Sequence, residues 1–212
     1  GFSKKANFQI LKPKYKKDHS VFNLKISAPG LKKRLIKKIK LNLIGKHNII
    51  NSAGAIALCL HIGINIEIIK NSLKRFTGIQ RRLTKVFSIN EREFFDDYAH
   101  HPTEIKSVLN SLKMSYFNRK IISVFQPHRY SRLRLLQKDF NFAFKDSNLV
   151  VLCPVYAAGE KVDKKFSLIN FAKSISRDSK VQVVIVENEI DLKKFFLKNL
   201  LDNEIVVCMG AG

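Results

Sequence analysis

From Gly78 onward, short apolar runs rich in β-branched residues alternate with amphipathic stretches. This alternation constrains the fold more than any other feature of the chain. Residues 86–89 and 93–97 read as a hairpin turning at Asn90-Glu91. Helices are predicted over 102–113, 131–145, 168–175 and 190–200, and strands over 121–125, 149–153, 181–186 and 205–209. Strands that are apolar on both faces and separated by helices belong to a mostly parallel sheet covered on both sides. The expected class is α/β, with a Rossmann-like mostly parallel sheet.

The first 77 residues follow another grammar. Residues 8–11 and 21–26 read as strands separated by the polar run 12–20. Pro29-Gly30 marks a turn, and a further basic strand region reaches residue 44. A helix opens near His47-Asn48, with Ser52, Ala53, Gly54, Ala55 and Ala57 small enough for close packing. A second helix is predicted over 66–76, stopped by Gly78. Alone, these elements would leave a sheet face uncovered. Residues 1–77 therefore read as the partial end of one α/β domain and 78–212 as a second domain. Both ends look cut: the start reads as the tail of a domain, and the sequence stops at Met209-Gly210-Ala211-Gly212, just past a predicted strand.

The chain carries 39 Lys+Arg against 17 Asp+Glu, a formal charge of +22. That excess favours anionic partners, but abundant Lys, Ile and Asn also mark an AT-rich coding sequence, and charge of that origin carries no function. A nucleic-acid-binding module would use the basic runs 12–17 and 32–40, which hold few aromatics beyond Tyr15. Cys59, Cys153 and Cys208 are scattered through apolar runs with no CxxC pair, the pattern of reduced thiols in a cytoplasmic protein. Residues 1–10 contain no continuous apolar core, so no signal peptide is expected. Asn51, Ser52, His61, Asn65 and Glu67 interrupt the apolar stretch 49–69, and Gly63 divides it, so two helices are expected there and no membrane span.

Ligands of such sheets bind beyond the carboxyl ends of the strands, and three polar clusters fall there. They are Asp96-Asp97-Tyr98-Ala99-His100-His101-Pro102-Thr103-Glu104, Phe125-Gln126-Pro127-His128-Arg129-Tyr130-Ser131-Arg132 and Val155-Tyr156-Ala157-Ala158-Gly159-Glu160. Each has a plain reading as a helix cap (Asp97, Ser131) with surface charge. At equivalent positions on one sheet edge they read as one site for a polar, anionic ligand. Arg129 and Arg132, three apart, can grip one carboxylate or phosphate. Adjacent His100 and His101 seldom aim at one ion, so no metal site is assigned. Asp96 and Asp97 point to opposite faces of a strand, and Asp97 is the one expected to reach the ligand. Gly45-Lys46-His47-Asn48 opens a helix whose N–H groups suit an anion. Asn48 and Asn51 could read an adenine edge or simply cap and pack. No GxxxxGK[ST] loop is present.

These blocks, with Gly78-Ile79-Gln80-Arg81-Arg82, occur in an order that closely resembles the Mur ligase family along essentially the whole chain. DDYAHHPTE and FQPHRYSR resemble its alanine-adding branch in particular. The resemblance implies the end of a central ATPase domain followed by a C-terminal Rossmann-like domain, with the P-loop, the magnesium ligands and the UDP-binding domain lying outside this sequence. It implies an ATP- and Mg2+-dependent ligase that joins L-alanine to UDP-N-acetylmuramate through an acyl phosphate. The fragment alone is expected to be inactive. It also implies that His47, Asn48 and Asn51 approach adenine, Arg82 the ribose or phosphates, Asp97 the ribose hydroxyls, and His100 the phosphates. Tyr98, His128, Arg129 and Arg132 would bind L-alanine and the muramoyl group, with Glu160 in the same cleft and Gly78 at an interdomain hinge. A sibling ligase that adds another amino acid or a whole peptide would share the fold and differ around Tyr98 and residues 128–132.

Overall fold

The computed structural model describes residues 1–211. They divide into two compact units, residues 1–78 with 114–117, and residues 79–113 with those from 118 onward.

In the first unit, β1 (Phe8–Tyr15), β2 (Ser20–Ile26) and β3 (Arg34–Leu41) form an antiparallel sheet in the order β1-β2-β3. Phe22, Leu24 and Ile26 alternate along β2 and are buried beneath α1 (Lys46–His61) and α2 (Ile66–Arg75). Ile49, Ala53, Ile56 and Leu60, at helical spacing on α1, complete this core with Ile69. Burying each such Ile or Leu contributes about 1.5–3 kcal/mol. The strand β1 extends beyond the predicted 8–11 because a bulge intervenes. Lys12 takes φ 49°, the register shifts between Leu11 and Lys14, and Tyr15 returns to pack against the core. Gly78 has φ +97°, and a Cβ there would lie 2.9 Å from Leu43 Cδ2, so both backbone and space require glycine.

The second unit holds six strands: β4 (Thr84–Ile89), β5 (Arg92–Asp97), β6 (Ile121–Phe125), β7 (Leu149–Leu152), β8 (Gln182–Ile185) and β9 (Ile205–Met209), in the order β4-β5-β9-β6-β7-β8. Only β4 is antiparallel. It joins β5 through Asn90 and Glu91, both at positive φ, as a tight hairpin turn requires. The remaining strands are parallel, and β9 enters between β5 and β6. The connections contain α3 (Pro102–Ser115), α4 (Tyr130–Leu135), α5 (Gln137–Asn141), α6 (Leu168–Ser179) and α7 (Glu189–Asn199). Ile122, Val124, Val151 and Val206 face Leu192, Phe195 and Phe196 of α7. On the opposite face Phe125 meets Phe140 and Phe144, and Phe140 meets Phe171 of α6. The sheet is thus mixed and mostly parallel, with both faces covered.

The single helix predicted over 131–145 is two short helices broken at Leu136. Ser179 explains why the second one ends early: its Oγ accepts the Phe144 N–H and donates to the Asn141 carbonyl, turning the chain so that Phe140 and Phe144 are buried. At the amino end of the sheet, Arg119 donates to the carboxylate of Glu93 and to the carbonyls of Glu91, Asn203 and Glu204.

Candidate functional site

The first predicted cluster leaves β5 and enters α3. Asp97 is buried, and its two oxygens accept the N–H groups of Leu83 (2.6 Å) and Ala99 (2.7 Å). Burial pushes its carboxyl above the ordinary value, against the opposing pull of those two N–H groups. The half-exposed member of the pair is Asp96, 3.3 Å from Arg81 Nε. Arg81 lies over the Tyr98 ring at 4.9 Å and donates to the Gly210 carbonyl at 2.8 Å, so it spans the ends of β5 and β9. His100 Nδ1 is 2.8 Å from the Tyr98 carbonyl. Pro102 opens α3, and Glu104 reaches back to the N–H groups of His100 and His101, as in a capping box. Burial alone would raise Glu104, but these N–H groups and the charges of His100 and Arg82 hold its carboxyl below the ordinary value. Arg82 is exposed, 4.0 Å from Glu104.

The second and third clusters meet at the neighbouring strand ends. His128 bridges Tyr156, while the Arg129 N–H donates to the Tyr156 carbonyl. Arg129 precedes α4 with φ 66°, a conformation that non-glycine residues rarely hold. Arg132 Nη1 lies 2.8 Å from His128 Nδ1. Burial and the nearby Arg132, His100 and Arg129 lower the His128 pKa. The carboxylate of Glu160 accepts both the N–H and the hydroxyl of Ser131, which lower its pKa and fasten the third loop to the start of α4.

The result is a row of rings across three strand ends. Tyr98 meets His100 edge-on at 5.3 Å, His100 meets His128 at 5.7 Å, and His128 meets Tyr156 at 5.6 Å. Tyr98, His100, His128, Arg129, Arg132 and Glu160 therefore share one sheet edge. Half-exposed tyrosine rings and largely buried imidazoles beside two guanidinium groups suit a small ligand bearing a carboxylate and a polar reacting centre. Arg81 and Tyr156 belong to this edge but were not singled out from the sequence. Their signal was position: Tyr156 follows β7 in the third cluster, and Arg81 immediately precedes the selected Arg82.

His47, Asn48 and Asn51 lie instead in the first unit, in the opening turns of α1. The side-chain amide of Asn48 donates to the Ile44 carbonyl at 2.8 Å, and Asn51 is exposed. Gly45, with φ 98°, precedes the helix without a side-chain cap. Cys153 and Cys208 line a cavity of about 440 Å³ on the α7 side of the strand ends, together with Val124, Val186 and Leu192. Burial pushes both thiols up to about 11, so neither is a nucleophile near neutrality. Among the described residues, no three His, Cys, Asp or Glu side chains converge as a metal site. Among them, no helix is long and apolar enough to cross a membrane.

A family model described as Mur ligase, glutamate ligase domain, matches residues 81–212. Over its whole length the chain is 49% identical to the UDP-N-acetylmuramate–L-alanine ligase of Pelagibacter ubique, of which it covers 46%. It is 37% identical, over 99% of its length, to the ligase of the same name from Brachyspira hyodysenteriae, of which it covers 47%. The solved UDP-N-acetylmuramate–alanine ligase of Thermotoga maritima matches 99% of the chain with a TM-score of 0.78 at 25% identity, over 44% of that structure. A folylpolyglutamate synthase of Mycobacterium tuberculosis matches 98% of the chain with a TM-score of 0.70 at 16% identity, a likeness of fold alone. The chain spans about half the length of the curated relatives it matches.

Proposed function

The chain belongs to the Mur ligase family, and from that premise we propose that it is part of an ATP-dependent ligase joining L-alanine to UDP-N-acetylmuramate in peptidoglycan precursor synthesis. Residues 1–77 are the end of its central ATPase domain and 78–212 its C-terminal domain. The rest of the same protein supplies the phosphate cradle, the Mg2+ ligands and the UDP-binding domain, and the enzyme works in the cytoplasm. The observation that carries this reading is the row Tyr98–His100–His128–Tyr156 flanked by Arg129 and Arg132, in a chain 49% identical throughout to an alanine-adding ligase.

The muramoyl carboxylate takes the γ-phosphoryl group of ATP, and the amine of L-alanine displaces phosphate from the acyl phosphate. Such chemistry depends on positioning and charge neutralisation. Arg132, with Arg129 beside it, holds the alanine carboxylate, and Tyr98 walls the methyl pocket. His100 and His128 border the reacting carbonyl, Arg82 meets the phosphates, and Glu160 keeps α4 in place through Ser131. His47, Asn48 and Asn51 form the adenine-proximal set, while Asp97 shapes the ribose side by fixing the backbone at Leu83 and Ala99.

Arg132→Lys in the longer enzyme tests the assignment. Replacing a two-pronged guanidinium with a point charge forfeits a charge-assisted hydrogen bond of about 1.5–3 kcal/mol. The KM for L-alanine should rise roughly tenfold or more while that for ATP barely moves. Steady-state kinetics with unchanged alanine dependence would remove Arg132 from the site, and phosphate release indifferent to L-alanine would overturn the function.

A further inference from the structure

We propose that His100 is the general base that takes the proton from the incoming ammonium group, and that its neighbour His128 is a fixed hydrogen-bond donor. The inference rests on reading this sheet edge as the place where an α-amino acid meets an acyl phosphate. Its basis is the opposite tautomers that the two rings must adopt.

His100 Nδ1 is 2.8 Å from the carbonyl oxygen of Tyr98. A carbonyl only accepts, so Nδ1 carries the hydrogen and Nε2 of the neutral ring keeps its lone pair. Glu104 Oε2 lies 3.7 Å from the same Nδ1. It is anchored by the N–H groups of His100 and His101 and stays ionised near neutrality. A carboxylate behind the ring stabilises the imidazolium that forms when Nε2 takes up a proton. Base, orienting carbonyl and stabilising carboxylate are thus all in place.

His128 is built the other way. Its Nδ1 faces Arg132 Nη1 at 2.8 Å. A guanidinium only donates, so this nitrogen accepts and Nε2 carries the hydrogen. Arg132, His100 and Arg129 each disfavour a further positive charge there, as does burial. While Arg132 is in place, His128 gives a hydrogen bond at Nε2 and resists taking a proton. With the ring centres 5.7 Å apart, one acceptor and one donor stand side by side.

The step balances as follows. His100 Nε2 removes one proton from the ammonium, and the freed nitrogen pair forms the C–N bond to the acyl carbon. The carbonyl π pair moves onto oxygen, which accepts the hydrogen bond from His128 Nε2–H. As the pair returns, the bond from carbon to the phosphate oxygen breaks, and phosphate leaves with the second proton of the nitrogen. His100 then releases its proton to water.

Hydroxylamine, an amine uncharged near neutrality, captures an acyl phosphate as a hydroxamate without a base. In the longer enzyme carrying this chain, His100→Asn should lower the ratio of alanine ligation to hydroxamate formation by about 100-fold. His128→Leu should depress both products together and leave the ratio within about threefold, because it removes a donor common to both. If His100→Asn fails to fold, His100→Gln puts the same question to the ratio. A parallel fall of both products in a His100 variant overturns the base assignment. No hydroxamate from the unsubstituted enzyme overturns the acyl-phosphate reading beneath it, and this inference with it.

Discussion

His128 carries a stability cost that pH should reveal. Burial first, then Arg132, His100 and Arg129, lower its pKa in the folded chain, whereas in the unfolded chain it titrates near 6.5. As pH falls through about 6.5 the unfolded state binds a proton that the folded state resists, so stability declines on the acid side. The decline ends once pH drops below the lowered folded value. His128→Gln should shrink the loss of Tm between pH 7.5 and 5.5, and an unaltered loss would show that His128 does not contribute to it. Much at this scale was legible: the His, Arg and Tyr of three strand ends do share one edge. The division of labour between Asp96 and Asp97 was not, because it depends on where the backbone of Leu83 returns, and Leu83 lies fourteen positions away. Nor did Arg81 announce itself, since its partners Tyr98 and Gly210 are neighbours only in the folded sheet.

Among elements, the amino end of the sheet is secured by charge rather than by apolar packing alone. Glu93 and Arg119 have side chains only 2% and 11% exposed, and the guanidinium also gathers carbonyls from the β4–β5 turn and from the start of β9. Lys85, 2.8 Å from the other Glu93 oxygen, still pairs with it when Arg119 is lost, so the cost is that of the charge-assisted hydrogen bonds Arg119 makes, about 1.5–3 kcal/mol. Arg119→Ala should lower the free energy of urea unfolding by that amount, and a change under 1 kcal/mol would mark the pair as dispensable. The parallel strands and the β4–β5 hairpin were readable because their signals are local: β-branched runs and turn residues at Asn90-Glu91. The early end of the second short helix at Asn141 was not, since Ser179, which ends it, lies beyond another strand and most of α6. The bulge at Lys12 was hidden too, because a one-residue shift of register makes a strand look like a polar loop.

For the molecule as a whole, the two units differ in charge. Residues 1–78 contain seventeen Lys and Arg but only two acidic residues, Asp18 and Glu67, so they attract any polyanion at low ionic strength. Titration with MgATP at about 0.15 M salt, where the screening length is about 8 Å, removes that background. The 212-residue chain alone, having no GxxxxGK[ST] loop, should then give no micromolar binding heat, and such heat would place a phosphate cradle in these residues. The order of strands has a further consequence. β9 follows every other strand of its sheet in sequence yet lies between β5 and β6. On a ribosome adding about 5–20 residues per second, the middle of this sheet is the last part to be made. Until residues 205–209 emerge, β5 and β6 each wait with an open edge, the surface most prone to wrong pairing. A nascent chain halted before Ile205 would hold two separate ladders, β4-β5 and β6-β7-β8, with nothing to join one to the other.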